Sequence, residues 1–402
     1  MAMRILLESA QWLGARRLVP IASAHIDGCL YHGDGGVEFA ERLVELGGQV
    51  VVPTTLNVGA LDLLHPDLVR LPPARRDMAR RQMEAYQQMG CRPTWTCAPY
   101  QAGHRPRLGE HVAWGESNAV VFANSVLGAR TNRYGDFLDI CCALTGRAPA
   151  VGLHLDEHRH GTVVVDLAAL PQRLVDSDVL YPVLGSWLGE MVGDRVAVVD
   201  GAPHDLSEDR LKALGAAAAS TGSVALVHVV GVTPEAPTMA AALGGLEPER
   251  RIVPTLNDMR AARDGLSTSA APRITAVAVG SPHFSLAEFR HLERLLDGRR
   301  LAVPCYACTG RGVYQVLEDQ GRTDELRAAG VQFIVDTCVV VTPILPGSAG
   351  VLMTNSGKFA HYTPPNTGYG VVFGSLEECV ASGLTGRVIR DATLWGEEMS
   401  TS

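Results

Sequence analysis

The stretch Ile274–Leu296, ITAVAVG-SPHFS-LAEFRHLERLL, decides how the chain is read. Its opening residues, Ile274–Val279, are apolar or β-branched and predict a buried strand, and from Leu286 the apolar residues recur at helical spacing. The alternation continues downstream. Strands are expected at Leu301–Val303 and Gln332–Val335, a helix at Gly312–Asp319, and further apolar runs at Cys338–Val341 and Val351–Met353. Strand–helix alternation of this kind predicts an α/β fold with doubly wound parallel sheets and right-handed crossovers.

Working outward, the N-terminal half alternates in the same way. Strands are expected at Arg17–Ala22, Gln49–Pro53 and Pro93–Thr96. Helices are expected at Gly36–Leu46, Ala74–Met89, Glu116–Leu127 and Gly135–Leu144. Met3–Leu13 looks like mid-helix without an N-cap, implying either a short helix or a start internal to a longer chain. Gly152–Gly201 is less regular, with a helix around Pro182–Gly193, and Ser207 opens a helix running to Ser220. The small, polar Gly265–Arg273 reads as a linker between an N-terminal region, 1–264, and a C-terminal region, 274–402. VPTTLN at Val52–Asn57 and VPTLN at Val253–Asn257 echo each other, read as coincidence.

At 402 residues the chain exceeds one simple core and predicts two or three subdomains. Its net charge of −8 argues against nucleic acid as a partner, which needs a basic face. No apolar run reaches membrane-spanning length, and Met1–Pro20 lacks a cationic start and a cleavage-type end. The expectation is a cytoplasmic protein whose nine cysteines stay reduced.

Cys97, Ser281 and Cys338 each follow an apolar run, in TWT-Cys97, AVAVG-Ser281 and FIVDT-Cys338. Carboxyl ends of parallel strands share one edge, where such folds bind ligands, so these three residues can meet there. Converging thiolates in a reducing compartment suggest a metal or iron–sulfur centre. The densest polar stretch, Ser23–Gly36, holds two His, two Asp, one Cys and four Gly. Asp34 is read as the cap of the following helix, and His25 and Asp27 as acid–base groups.

Other segments offer binding groups. Thr54–Asn57, read as a loop, presents hydroxyls and the Asn57 amide to a substrate, or satisfies its own backbone. Glu116 and Ser117 open a helix that carries Asn124, with Arg130 and Arg133 beyond. A helix start and arginines suit an anion, the alternative being a capped, solvated helix end. Cys305 and Cys308 form a CxxC without a thioredoxin context or a second CxxC, so they read as a structural cysteine and a turn whose Arg311 reaches an anion. His154–His160 reads as a solvated turn and Cys141-Cys142 as helix packing. Lys358, after the Val351–Met353 run, is an anion clamp, an acid–base group or a plain surface residue.

At these residues the chain resembles the aconitase X family, specifically its large subunit. The matching stretches are SAHIDGCLYHGDGGVEFAERLVELG from Ser23, VPTTLNVGALDL from Val52, GEHVAWGESNAVVFANSVLGARTNR from Gly109, LTGRAP with VGLHLDE, SPHFSLAE from Ser281, DTCVVVTPI from Asp336 and MTNSGKFAHYTP from Met353. The resemblance implies an aconitase-like body of several subdomains around one cleft. It implies an iron–sulfur-dependent dehydratase of cis-3-hydroxy-L-proline, or alternatively of mevalonate 5-phosphate, working with a separate small swivel subunit that carries the serine base. Cys97 and Cys338 match the family's cluster cysteines, and Ser281 stands where the phosphomevalonate branch has Cys. That departure favours the hydroxyproline branch and a 2Fe-2S cluster held by Cys97, Cys338 and Ser281. Loss of water from a hydroxy acid needs a base for the Cα proton, an acid for the hydroxyl and cations for the carboxylate. Competing readings are a zinc- or redox-binding protein using the CxxC, and a non-catalytic scaffold subunit.

Overall fold

A computed structural model describes residues 1–397; the last five residues of the region read as 274–402 lie outside it. Apolar alternation builds three all-parallel sheets and one small antiparallel pair, Leu18–Pro20 with Arg147–Pro149. The strand Ala276–Val279, buried along its whole length, lies at the centre of a five-stranded sheet. Cys305–Thr309 and then Val331–Val335 lie on one side of it, Val351–Thr354 and then Gly370–Phe373 on the other. The first strand in sequence is therefore central and the direction of winding reverses beside it, the doubly wound arrangement expected. Ser285, N-cap of the helix Leu286–Leu296, forms a capping box with Glu288, which ends the turn after the central strand and starts its crossover helix.

Ser23–Ile26 is likewise central in a three-stranded sheet, between Thr54–Leu56 and Val112–Trp114. A four-stranded sheet combines Val227–Val229, Ala197–Asp200, Val163–Asp166 and Arg250–Ile252 in that spatial order. Among the described residues no helix is long and apolar enough to cross a membrane.

Several boundaries differ from the sequence reading. Of the strand expected at Arg17–Ala22 only Leu18–Pro20 forms, and a further strand, Ser23–Ile26, follows it, so His25 lies in a strand and not in a polar loop. Thr54–Leu56 is the strand and Gln49–Pro53 its approach. Pro93–Thr96 forms no strand; Trp95 takes φ of 44°, outside extended geometry. Leu301–Val303 also forms none, and the strand is Cys305–Thr309, which places both CxxC thiols in a buried strand rather than a turn. Asp34 is not the N-cap: Gly33 is, and Asp34 accepts the Tyr31 hydroxyl at 2.8 Å. His154 is not solvated but 1% exposed, bonded to His111 and Tyr134. The echoed VPTTLN and VPTLN differ in structure, a strand in the first and a Thr255 capping box in the second.

The helix Leu180–Val192 crosses Glu208–Thr221 closely because both carry small residues at the contact. A Cβ on Gly185 would lie 2.2 Å from the Leu214 carbonyl oxygen, and one on Gly189 2.3 Å from Thr221 Oγ1. Gly185→Ala should therefore force the helices apart and destabilise the chain by about 1–3 kcal/mol, the usual cost of overpacking, read from the midpoint of denaturant unfolding.

Candidate active site

The two doubly wound sheets present their carboxyl edges to one site. On the three-stranded sheet, Ile26 leads to Asp27, Leu56 to Asn57 and Trp114 to Gly115-Glu116. The Asn57 amide donates to Asp27 Oδ1. Asp139, fully buried, accepts the backbone N–H of Asp27 at 2.7 Å and that of Ile140 at 2.6 Å. Burial pushes Asp27 up to about 7, with Glu116 and Asp136 adding to it, and burial likewise pushes Asp139 up to about 7. Glu116 caps the helix Ser117–Ser125 by accepting the Ala119 N–H at 2.6 Å, and its other oxygen accepts from Lys358 Nζ.

On the five-stranded sheet the switch point lies between Ala276–Val279 and Val351–Thr354. Open α/β sheets bind ligands at such points, since the crossovers diverge there and leave a crevice. Ser281 follows the first of these strands, and the Ser356 hydroxyl donates to its carbonyl. Lys358 stands in the first turn of the helix Gly357–Thr367, and with Lys212 and Ser281 it lines one cavity.

Cys338 lies three residues beyond the strand Val331–Val335, after a turn at Asp336 with φ of 66°. Arg311 holds that turn through two bonds of 2.5 and 2.7 Å to the Asp336 carboxylate, and the Gly59 N–H donates to the Asp336 carbonyl at 2.8 Å. Cys97 is placed by its carbonyl, which accepts Asn118 Nδ2 at 2.9 Å, and by its Sγ, which accepts the His283 N–H at 3.3 Å. Burial pushes the Cys97 thiol up to about 12, with the Lys358 ammonium opposing. Burial also raises Cys338, against backbone N–H groups and Lys358. Burial presses Lys358 downward, but Glu116 and the two thiols outweigh this and hold it above the ordinary lysine value. One ammonium therefore acts on both thiols.

The residues expected at the site divide into two groups. Asp27, Asn57, Glu116, Cys97, Ser281, Cys338 and Lys358 lie on the two facing edges or beside them, and Ser117 lies 3.4 Å from Glu116. His25 lies within the first sheet, not exposed at its edge. Its Nδ1 contacts Thr55 Oγ1 at 2.8 Å, and Thr55 in turn contacts His104 Nδ1 at 2.7 Å. Burial holds His25 well below the ordinary imidazole value and His104 at about 4, so both are neutral.

The remaining expected residues are engaged elsewhere. The Asn124 amide is committed to the Thr131 and Ala225 carbonyls, to the Thr131 N–H and to Arg159. Arg130 pairs with Asp156, Arg133 donates to the Gly222 carbonyl at 3.2 Å, and Arg311 holds Asp336. Arg133 lines a separate cavity of about 700 Å³ that contains no cysteine.

His283, Lys212 and Asp139 are the functional candidates that sequence reading missed. One signal was available for Lys212. Of 35 Lys and Arg residues only Lys212 and Lys358 are lysines, and both line the Ser281 cavity.

Family models describe the chain in three consecutive parts: aconitase X first domain over residues 1–157, second domain over 161–264 and third domain over 274–385. The chain is 43% identical over 99% of its length to a cis-3-hydroxy-L-proline dehydratase of Pseudomonas aeruginosa, spanning 69% of that protein. It is 43% identical over 96% of its length to one of Hypocrea jecorina, spanning 65% of it. It is 38% identical over 90% of its length to a phosphomevalonate dehydratase large subunit of Thermococcus kodakarensis, spanning 89%. The crystal structure of Thermococcus kodakaraensis aconitase X in its holo form superposes with a TM-score of 0.84 at 34% identity, covering 95% of this chain and 94% of that one. Fold, edges and relatives together define an α/β enzyme of the hydro-lyase, or dehydratase, class. The chain belongs to the aconitase X family.

The raised acids make a pH test. Asp27 and Asp139 both hold protons to about 7 in the folded chain against an ordinary 3.8. Their contribution to stability is thus complete below the ordinary value and lost as pH rises through about 7. Measured against wild type, the thermal midpoint of Asp139→Asn should therefore climb as pH rises from 3.8 to about 7, because only the wild type loses the Asp139 contribution there; a difference that stays constant with pH would contradict the buried-acid assignment.

Proposed function

We propose that this chain is the large subunit of an iron–sulfur-dependent dehydratase that converts cis-3-hydroxy-L-proline to 1-pyrroline-2-carboxylate in the cytoplasm, together with a small swivel subunit. The observation that supports the reading is that the Lys358 ammonium acts on both the Cys97 and the Cys338 thiol and lines one cavity with Ser281.

The donor set fits such a group. Among the described residues no three His, Cys, Asp or Glu side chains converge as a metal set, so two soft thiolates would be completed by the Ser281 hydroxyl. Lys358 favours the thiolate forms that ligation requires. A 2Fe-2S cluster held there would supply the Lewis acid for the departing hydroxyl.

The chain's own groups supply the rest of the arrangement. Asp27 ionises near neutrality and is oriented by Asn57, which suits it to pair the ring ammonium of an imino acid. Glu116 keeps Lys358 charged beside the cavity, where the ammonium attracts the substrate carboxylate. His25 stays neutral and supports the edge through Thr55. The Cα proton passes to a base on the small subunit and the C3 hydroxyl takes up a proton and leaves as water; the resulting C2=C3 enamine loses its N–H proton and gains one at C3 to become 1-pyrroline-2-carboxylate. The 43% identity to two cis-3-hydroxy-L-proline dehydratases agrees with this choice of substrate.

A second reading, mevalonate 5-phosphate dehydration, is favoured by the chain's match to nearly the whole length of the large subunits. Against it, Arg130 and Arg311 are already paired with carboxylates, which leaves no arginine fork for a phosphate among them. Assaying the chain with its small subunit on both compounds decides the matter: turnover of the phosphorylated compound alone reverses the assignment. Cys97→Ala and Cys338→Ala should each lose iron and at least about 100-fold in turnover, since such clusters rest on thiolates. Cys141→Ala should retain both. Ser281→Cys should raise iron and sulfide per chain; unchanged spectra would remove Ser281 from the metal.

A further inference from the structure

We infer that His283, braced by Lys212, is the positioning residue that holds Cys97 and Cys338 in register with Ser281. This rests on the cluster reading above and adds a residue to it. His283 is fully buried, bonds to the segments that carry both thiols, and belongs to the segment that carries Ser281. Its Nδ1 lies 2.9 Å from Thr96 Oγ1, its Nε2 lies 3.3 Å from the Thr337 carbonyl oxygen, and its N–H donates to Cys97 Sγ at 3.3 Å. Thr96 and Thr337 are the residues immediately before Cys97 and Cys338, and Ser281 is two residues before His283 itself. The Thr337 carbonyl can only accept, so the hydrogen lies on Nε2, and Nδ1 can then accept from the Thr96 hydroxyl. Buried groups of this kind fix the orientation of metal ligands.

Lys212 completes the brace. Its ammonium is 2% exposed and meets three acceptors: Asp209 at 2.8 Å, the His283 carbonyl at 3.3 Å, and Glu288. Three acceptors around one point match the three hydrogens of an ammonium, which a planar guanidinium cannot reproduce. That is a physical reason for a lysine here in a chain whose other basic residues, Lys358 apart, are arginines.

The test compares the full-length chain with His283→Ala and His283→Asn, the latter keeping an acceptor near the Nδ1 position. In chelator-treated protein, alkylation of each cysteine is followed by mass spectrometry, with Cys141 and Cys142 reporting global opening. His283→Ala should speed alkylation of Cys97 and Cys338 by about 10-fold or more while the reporters stay unchanged. In reconstituted protein it should lose iron to a chelator about 10–100-fold faster, the range seen when such supporting partners are removed. If the reporters also accelerate, His283→Asn decides: faster alkylation confined to Cys338 supports the role, and wild-type rates at both thiols overturn it. Wild-type rates at both thiols in His283→Ala overturn it directly. A wild-type chain that takes up no iron and sulfide overturns the cluster reading, while the alkylation comparison still judges His283.

Discussion

The ion pair between Glu116 and Lys358 is the constraint on which the site depends. Glu116 caps a helix at the edge of the three-stranded sheet, and Lys358 begins a helix at the edge of the five-stranded one. Their side chains are only 4% and 15% exposed, so neither charge is stable alone there. Removing one partner of a buried pair typically costs about 3–5 kcal/mol, chiefly because the other charge stays buried without compensation. The pair therefore makes the meeting of the two edges close to all-or-none, and it leaves an ammonium beside two thiols that burial would otherwise keep protonated.

That meeting follows from two sheets wound in the same way. In each, the first strand in sequence is interior, so the following loops diverge and leave a crevice at the carboxyl end. One crevice contributes carboxylates and an amide; the other contributes the Ser281 turn and Lys358. Cys97 and Cys338 lie on turns: no named strand leads directly into Cys97, and Cys338 lies three residues beyond the end of Val331–Val335. Their backbones, at Trp95 and Asp336, take positive φ, and Asp336 is held there by Arg311 and by the Gly59 N–H.

The histidines of the site have a common character. Burial keeps His25, His104 and His283 neutral, so each acts as a hydrogen-bond connector between segments rather than as a proton carrier at physiological pH. His25 and His104 share Thr55, and His283 joins Thr96 to Thr337. The proton-exchanging capacity near neutrality rests instead on Asp27 and Asp139, whose burial brings them to about 7.

The sequence by itself determined the fold class, most helices and the residue types that matter. Helix Leu286–Leu296 was legible to the residue, because its apolar spacing and the capping box of Ser285 with Glu288 are both local. Asp27, Cys97, Ser281, Cys338 and Lys358 were legible as polar or soft groups set after apolar runs. Only the tertiary structure decided which of them meet and which are spent elsewhere. Arg130 and Arg311 look free as isolated residues, yet each finds a carboxylate 25 or 26 positions away in the chain. Lys212 and His283 looked ordinary for the same reason: apart from Asp209 on the same helix as Lys212, their partners lie 54 to 187 positions away, and long-range pairing leaves no periodic trace in the residues on either side. Hydrophobic period is a local property, whereas the charge on a buried group is set by whatever the fold brings against it.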